Sequence, residues 1–194
     1  MTTPSQHFDM LYRANADPWD YQTSDYERRK YDATLAALTR PRYSSAVEAG
    51  CSIGVLSVHL AARCDKLLAL DFSARAVAQA TERLAAFPNA AARCATLPQD
   101  WPRAAYDLIM LSEILYYLSG AEIDAMARHV ARDAAPAGAC VLVHWQGETQ
   151  TPISANDARD RFCRALAGLR PFQVIIHHTG ADYDHRTLLF NEAR

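Results

Sequence analysis

The stretch Val47-Glu48-Ala49-Gly50-Cys51-Ser52-Ile53-Gly54 decides the fold, because it reads as a strand turning into a helix. Ala46 and Val47 lead into it, and Leu56 and Leu60 follow at the i,i+4 spacing of a helix face. An acid and two glycines sit at the turn. A dinucleotide fingerprint needs glycines at G-x-G-x-x-G. Counted from Gly50, those three positions hold Gly50, Ser52 and Val55. Two of the three glycines are missing, which disfavours a nicotinamide cofactor and makes Glu48, an acid inside a strand, the clue to follow. Gly50 and Gly54 still let the backbone bend and let a ligand approach closely.

Outward from this turn, the pattern alternates. Strands are expected at about 44–49, 66–71, 90–94 and 106–112, with helices at about 54–63 and after Ser73, where Val77, Ala80 and Leu84 make a stripe. Ser119 to Glu122 is a capping box, and Ile123, Met126, Ala127 and Val130 follow on one face. Pro136-Ala137-Gly138 reads as a turn into the strand Ala139 to Trp145. A helix at about 155–168 and two strands near 171–178 and 185–191 close the chain. Strands alternating with helices predict a mostly parallel sheet covered on both faces. Only about six residues join the last two strands, which suits an antiparallel hairpin. The fold class is therefore α/β: a Rossmann-like, doubly wound, seven-stranded and mostly parallel sheet with an antiparallel C-terminal hairpin. Residues 1–43 form a helical extension, with a second capping box at Ser24 to Glu27, and residues 44–194 form the ligand-binding unit.

Composition narrows the partners. The chain has 194 residues and a net charge of −2, so it carries no general attraction to nucleic acid or an anionic membrane. No apolar run approaches the roughly 18 residues of a membrane span, and the N-terminus lacks the pattern of a signal peptide. Five cysteines without a C-x-x-C pair suit a reduced, cytoplasmic protein. No metal site is expected: the histidines show no H-x-x-x-H pairing, and the adjacent His177 and His178 face opposite sides of a strand.

Asp71 ends the second strand, 21 residues after Gly50, where a carboxylate can accept hydrogen bonds from both hydroxyls of a ribose. The competing reading is an acid at a helix start, just before Ser73.

Taken together, "VEAGCSIG", "ALD", "YDLIMLSEILYYL" and "PAGACVLV" resemble a class I S-adenosylmethionine-dependent methyltransferase. More narrowly, "DPWDYQTSDYERRKY", "GCSIG", "YDLIMLSEILYYL" and the closing "HRTLLF" resemble the nodulation protein S family, from about residue 8 to residue 190. That resemblance implies an N-methyltransferase acting on partly deacetylated chitooligosaccharides. It implies that Glu48, Gly50, Cys51, Ser52 and Gly54 surround the methionine part of S-adenosylmethionine. Asp71 would hold the ribose, Phe72 would lie against the adenine, and Thr96 and Leu97 would flank it. Ser112 and Glu113 would border the reacting centre. Two positions depart from the class: Ser52 replaces a glycine, and Thr96 stands where an acid often receives the adenine amino group.

For an amine acceptor, Glu113 can attract the ammonium form and take or relay a proton. His144 is the second candidate base, and Tyr116 and Tyr117 add amphipathic rings. Each of these three also has a plain packing role. The N-terminal section, rich in aromatic and basic residues, suits a lid over the cofactor. Trp19 can cover apolar cofactor surface. Arg28 can clamp the methionine carboxylate or pair with an acid of its own helix. Tyr21, Tyr26 and Trp145 offer ring faces to a sugar. The other readings are a nicotinamide-dependent oxidoreductase, a methyltransferase of a different nitrogen or oxygen acceptor, and a non-catalytic binder of S-adenosylmethionine.

Overall fold

A computed structural model describes residues 4–147, 151, 153–179 and 182–192. The N-terminal section holds two helices, α1 (Pro4–Ala14) and α2 (Asp25–Ala36). Strands and helices then alternate: β1 (Ala46–Ala49), α3 (Val55–Ala61), β2 (Leu67–Asp71), α4 (Ala74–Leu84), β3 (Ala90–Cys94) and β4 (Tyr106–Ser112). A 3₁₀ turn (Leu115–Tyr117) leads to α5 (Gly120–Asp133), β5 (Ala134–Trp145), α6 (Ala155–Ala167), β6 (Phe172–Thr179) and β7 (Tyr183–Phe190). The sheet order is β3-β2-β1-β4-β5-β7-β6. The first five strands are parallel, and β7 runs antiparallel between β5 and β6.

Burial follows the pleat. On β4, Leu108 and Met110 face the core under α2, α3 and α4, while Ile109 and Leu111 face the core under α5 and α6. Both faces of the strand are covered, which is why it reads as an unbroken apolar run. The stripe Ile123, Met126, Ala127 and Val130 of α5 is buried as its spacing predicts. Each such side chain is worth about 1.5–3 kcal/mol over its exposed state. Chain direction from strand order reverses between β1 and β4, so a crevice opens at their carboxyl ends.

Three local expectations need correction. Pro136 to Gly138 is not a turn before β5; it lies within β5, which starts at Ala134. The register slips between Tyr106 and Leu108, and Ala137 sits at φ +51°. The strand absorbs these residues as a bulge. The box at Ser24 is half formed: Ser24 accepts the Glu27 N–H, but the Glu27 carboxylate turns inward to Lys30. Ser119 and Glu122 form the full reciprocal box. The helix α1 was not foreseen. Pro4 at its first position and Phe8, Leu11 and Tyr12 on one side are its sequence signal.

Candidate active site

β1 ends in a turn whose shape is fixed by its own residues. Gly50, Ser52 and Gly54 sit at φ +81°, +48° and +82°. A Cβ on Gly50 would lie 3.0 Å from the Ser112 carbonyl, so this glycine lets β1 and β4 close against each other. A Cβ on Gly54 would lie 2.9 Å from Ala80, so this one lets α3 pack on α4. Ser52 takes the left-handed conformation despite its side chain. Its N–H donates to Asp71 Oδ2 at 2.9 Å, and its hydroxyl lies 2.5 Å from the Tyr12 hydroxyl of α1.

The N–H groups of this turn are already engaged. Those of Gly50 and Cys51 both donate to the Leu70 carbonyl, at 2.8 and 2.9 Å, and that of Ser52 is held by Asp71. The turn therefore presents few donors. Its acceptors are plentiful. Asp71 also takes the Ser73 N–H at 2.9 Å, and burial holds its carboxyl above the usual carboxylate range against the backbone bonds from Ser73, Ser52 and Phe72. Glu48 is fully buried, with the Ser57 hydroxyl donating to it at 2.6 Å. Burial pushes its pKa up to about 7, opposed by Ser57 and helped by nearby Asp71.

A cavity of about 30 Å³ lies over the turn, lined by Glu48, Gly50, Cys51, Ser52, Ser112 and Glu113 from the sheet side. Tyr21, Lys30 and Tyr31 close it from the N-terminal section. Glu113 stands at its far wall, at φ +59°, a conformation that costs a non-glycine residue of order 1 kcal/mol. Three elements hold its carboxylate. Lys30 Nζ of α2 donates to Oε1 at 3.0 Å, the Trp145 N–H donates to Oε2 at 2.8 Å, and the Tyr116 hydroxyl donates to Oε2. Lys30 also reaches Glu27 at 3.0 Å. Burial pulls the Lys30 ammonium toward neutrality, but the two carboxylates outweigh it and leave its pKa above the usual lysine value.

The other predicted residues fall around this centre or away from it. Trp19 packs between Phe8, Tyr12 and Tyr21, and Phe72 meets the Phe8 ring edge-on at 5.3 Å. Tyr117 lies against Phe8 and Tyr116. Burial and the Glu113 charge push the Tyr116 phenol far up, so it stays a neutral hydroxyl that donates to Glu113. The Cys51 thiol is likewise pushed up by burial. Thr96 is exposed, with its N–H capped by Asp100 at 2.8 Å, and Leu97 is buried in the core beneath α5.

Two expectations are overturned. Arg28 does not reach the cavity: its side chain is 68% exposed and pairs with Asp25 at 2.9 Å on its own helix. His144 is fully buried, with no hydrogen-bond partner among the described residues at either ring nitrogen, and burial pushes its pKa down to about 4. It packs beside Tyr116 on the α5–α6 face and is not part of the cavity wall. A sealed imidazole has no path for a proton to the acceptor. Lys30, Glu27, Tyr12 and Ser57 were missed. For the first two the signal was present, as an acid and a lysine at i,i+3 on the face of α2 that also carries Thr34.

Among the described residues no cluster of metal-binding side chains occurs, and no helix is long and apolar enough to cross a membrane. The sheet order and the acid-lined turn between β1 and β4 define a class I S-adenosylmethionine-dependent methyltransferase. The model of the nodulation protein S family matches residues 3–142, and the chain belongs to that family. Nodulation protein S of Sinorhizobium fredii is 28% identical over 181 residues, which is 91% of this chain and 79% of that protein. A candidate methyltransferase from Pseudomonas syringae has a solved structure that is 35% identical. It superposes with a TM-score of 0.74 over 84% of this chain and 98% of its own. The N-methyltransferase nodulation protein S of Bradyrhizobium japonicum, solved in complex with S-adenosylhomocysteine, shares the fold with a TM-score of 0.81. It is 20% identical, with 98% of this chain and all of that chain covered.

Proposed function

We propose that the protein transfers a methyl group from S-adenosylmethionine to the amine of an amino sugar, with a partly deacetylated chitooligosaccharide as the favoured acceptor. This reading places it in the cytoplasm, without a nucleic-acid or membrane partner. The observation that carries it is the chemistry of the cleft. Glu48, Asp71 and Glu113 gather at the carboxyl ends of β1, β2 and β4, Lys30 is the single cation on the cavity wall among the described residues, and three turn amides are spent on β2. A pyrophosphate needs donors and positive charge. This cleft offers acceptors and negative charge, which suit a sulfonium and an ammonium.

S-adenosylmethionine, when bound, supplies an electrophilic methyl on its sulfonium sulfur. The residues then divide the work. Asp71 accepts the backbone N–H groups of Ser52, Ser73 and Phe72 and would take the ribose hydroxyls with its remaining acceptor capacity. Glu48, Gly50, Cys51 and Ser52 would line the methionine part. With about 30 Å³, the cavity has the room of a water or two, so Tyr12, Tyr21 and α2 must swing outward to admit a nucleoside. Residues 1–43 act as a lid on this reading. Glu113 faces the acceptor as a fixed carboxylate. Positive charge builds on the nitrogen as the bond forms, and a carboxylate already in place stabilises it without reorganising. With three donors on it, Glu113 anchors and stabilises rather than removing the proton. The amine enters neutral, and its proton leaves to water.

Trp145 supports a sugar acceptor. The residue is 39% exposed, while its backbone N–H is bound to Glu113. The ring lies over Gly147, where a Cβ would come within 2.2 Å of it, so its orientation is set. Labelled methyl transfer from S-adenosylmethionine tests the proposal, with glucosamine oligomers set against fully acetylated oligomers of equal length. Label is expected only on the amine-bearing series. Equal labelling of both, or of neither, overturns it.

A further inference from the structure

The buried stripe of α2 is polar, which is unusual for the inner face of a helix: Glu27, Lys30 and Thr34 point inward. Lys30 is the extreme case. Its side chain is 4% exposed and is enclosed by two carboxylates, each at 3.0 Å, and by the rings of Tyr26 and Tyr31, at 5.3 and 6.0 Å. A buried ion cluster of this kind is weak evidence for stability, because desolvating the charges costs as much as pairing them returns. Its placement says more. Among the described residues of the N-terminal section, Lys30 is the one hydrogen-bonded to Glu113, and it lines the cavity beside Glu48 and Ser112.

We propose that Lys30 is a positioning residue for methyl transfer, which fixes the Glu113 carboxylate toward the acceptor only while α2 is docked. The proposal rests on the amine-acceptor reading above. Its geometry is specific. Glu113 Oε2 is tied down by Trp145 and Tyr116, and these two bonds leave the carboxylate free to pivot about that oxygen. Lys30 holds the second oxygen, and Glu27 holds Lys30 from behind. The carboxylate plane is thereby defined by three elements. The remaining charged or titratable groups near Glu113 are Tyr21, Tyr26 and Tyr31 from the N-terminal side, Tyr117 from the 3₁₀ turn and His144 from β5. None of them replaces the ammonium, since the tyrosines are pushed up and His144 is pushed down, all by burial. The acceptor site is then built partly from outside the Rossmann-like unit, and its assembly reports on the docking of the N-terminal section.

Removing Lys30 alone would leave Glu27 and Glu113 facing one another and risks unfolding. The test therefore uses the pair Lys30→Met with Glu27→Gln, alongside Lys30→Arg. Far-UV circular dichroism and a single cooperative thermal transition serve as the folding control, and both are expected to be kept in the two variants. The double variant should lose 10- to 100-fold in kcat on glucosamine oligomers with KM changed less than threefold, and Lys30→Arg should keep at least a third of kcat. Hydrogen exchange of the Trp145 amide, which needs no acceptor, should speed up at least tenfold in the double variant and not in Lys30→Arg. Exchange at Ile109 in the core should be unchanged in both. Unchanged Trp145 exchange, or kcat within threefold of wild type in the double variant, overturns the proposal. Failure of the wild-type protein to methylate any amine overturns the acceptor reading instead, and the Trp145 exchange still decides whether Lys30 holds Glu113.

Discussion

Glu48 is an acid in a strand with apolar neighbours on either side, fully buried, and without a cation of its own. Burial holds its pKa near 7, above the ordinary carboxylate value of 4.5. The folded chain therefore keeps this proton more tightly than the unfolded chain. The stability that this brings is full below about pH 4.5 and is lost as pH rises to about 7, by up to about 3 kcal/mol. Such a cost persists in a protein when function requires it, and a cationic occupant is what would offset it. Glu48→Gln should accordingly raise the melting temperature of the ligand-free protein at pH 8 and leave it nearly unchanged at pH 4.5. Thermal unfolding at the two pH values measures this. Equal effects at both would mean that Glu48 is not the titrating group. The acid itself was legible in the sequence as a misfit within a strand. Its partner Ser57 was not, because a hydroxyl nine residues away, on the first turn of a helix, looks like any other helix serine until the turn folds it back.

At the scale of elements, what the sequence revealed depended on periodicity. β4, α4 and α5 carry long, regular apolar patterns, and they form where those patterns lie. The N-terminal helices did not announce themselves so well. Tyr31 and Leu35 of α2 and Leu38 just after it mark the side packed on the sheet, yet the side toward the cleft is charged, and apolar spacing says nothing about which of its charges is buried. The sequence also placed Arg28 in the site and left Lys30 out of it, since it shows three consecutive bases, Arg28, Arg29 and Lys30, and only the fold shows which one points inward. The turn from β1 to α3 was legible for a different reason: glycine at a strand end reports a backbone demand directly. Its second glycine serves packing. Gly54 combines φ +82° with an Ala80 backbone contact that would fall at 2.9 Å from an added Cβ. Gly54→Ala should therefore separate α3 from α4 and cost about 2–4 kcal/mol. That loss corresponds to a fall of roughly 5–15 °C in melting temperature. A melting temperature within two degrees of wild type would show that the helices slide apart without strain.

The whole molecule is tied together unevenly. The seven strands are continuous through backbone pairing, and two apolar cores cover their faces. The N-terminal section is attached unevenly: α2 and the residues after it are anchored by Tyr31, Leu35, Leu38 and Tyr43 on one core and by the Lys30 bridge, whereas α1 is held by the Tyr12 and Ser52 hydroxyls, the small cluster of Tyr12, Ile53 and Ala76, and Phe8 against Phe72 and Tyr117. Segments held by few apolar contacts open at low free energy while the rest stays folded. A ligand lodged between that section and the turn after β1 binds only the closed arrangement, and linkage then fixes the size of its effect. At a concentration 100-fold above the dissociation constant, S-adenosylhomocysteine should stabilise the closed form by about 2.7 kcal/mol and reduce the open population about 100-fold. Trypsin reads that population when reclosing outpaces cleavage. Arg28 and Arg29 are exposed on α2, but a helix must open before the protease can take its backbone, whereas Arg164 lies on α6, which Phe162 and Leu166 anchor in the core. The first cut in the ligand-free protein should fall after Arg28 or Arg29, and the ligand should slow it by about two orders of magnitude. A first cut outside residues 1–43, or one that the ligand leaves unchanged, would make residues 1–43 a fixed layer of the fold, and the route by which a nucleoside enters would then have to lie at the carboxyl ends of the strands beside Trp145.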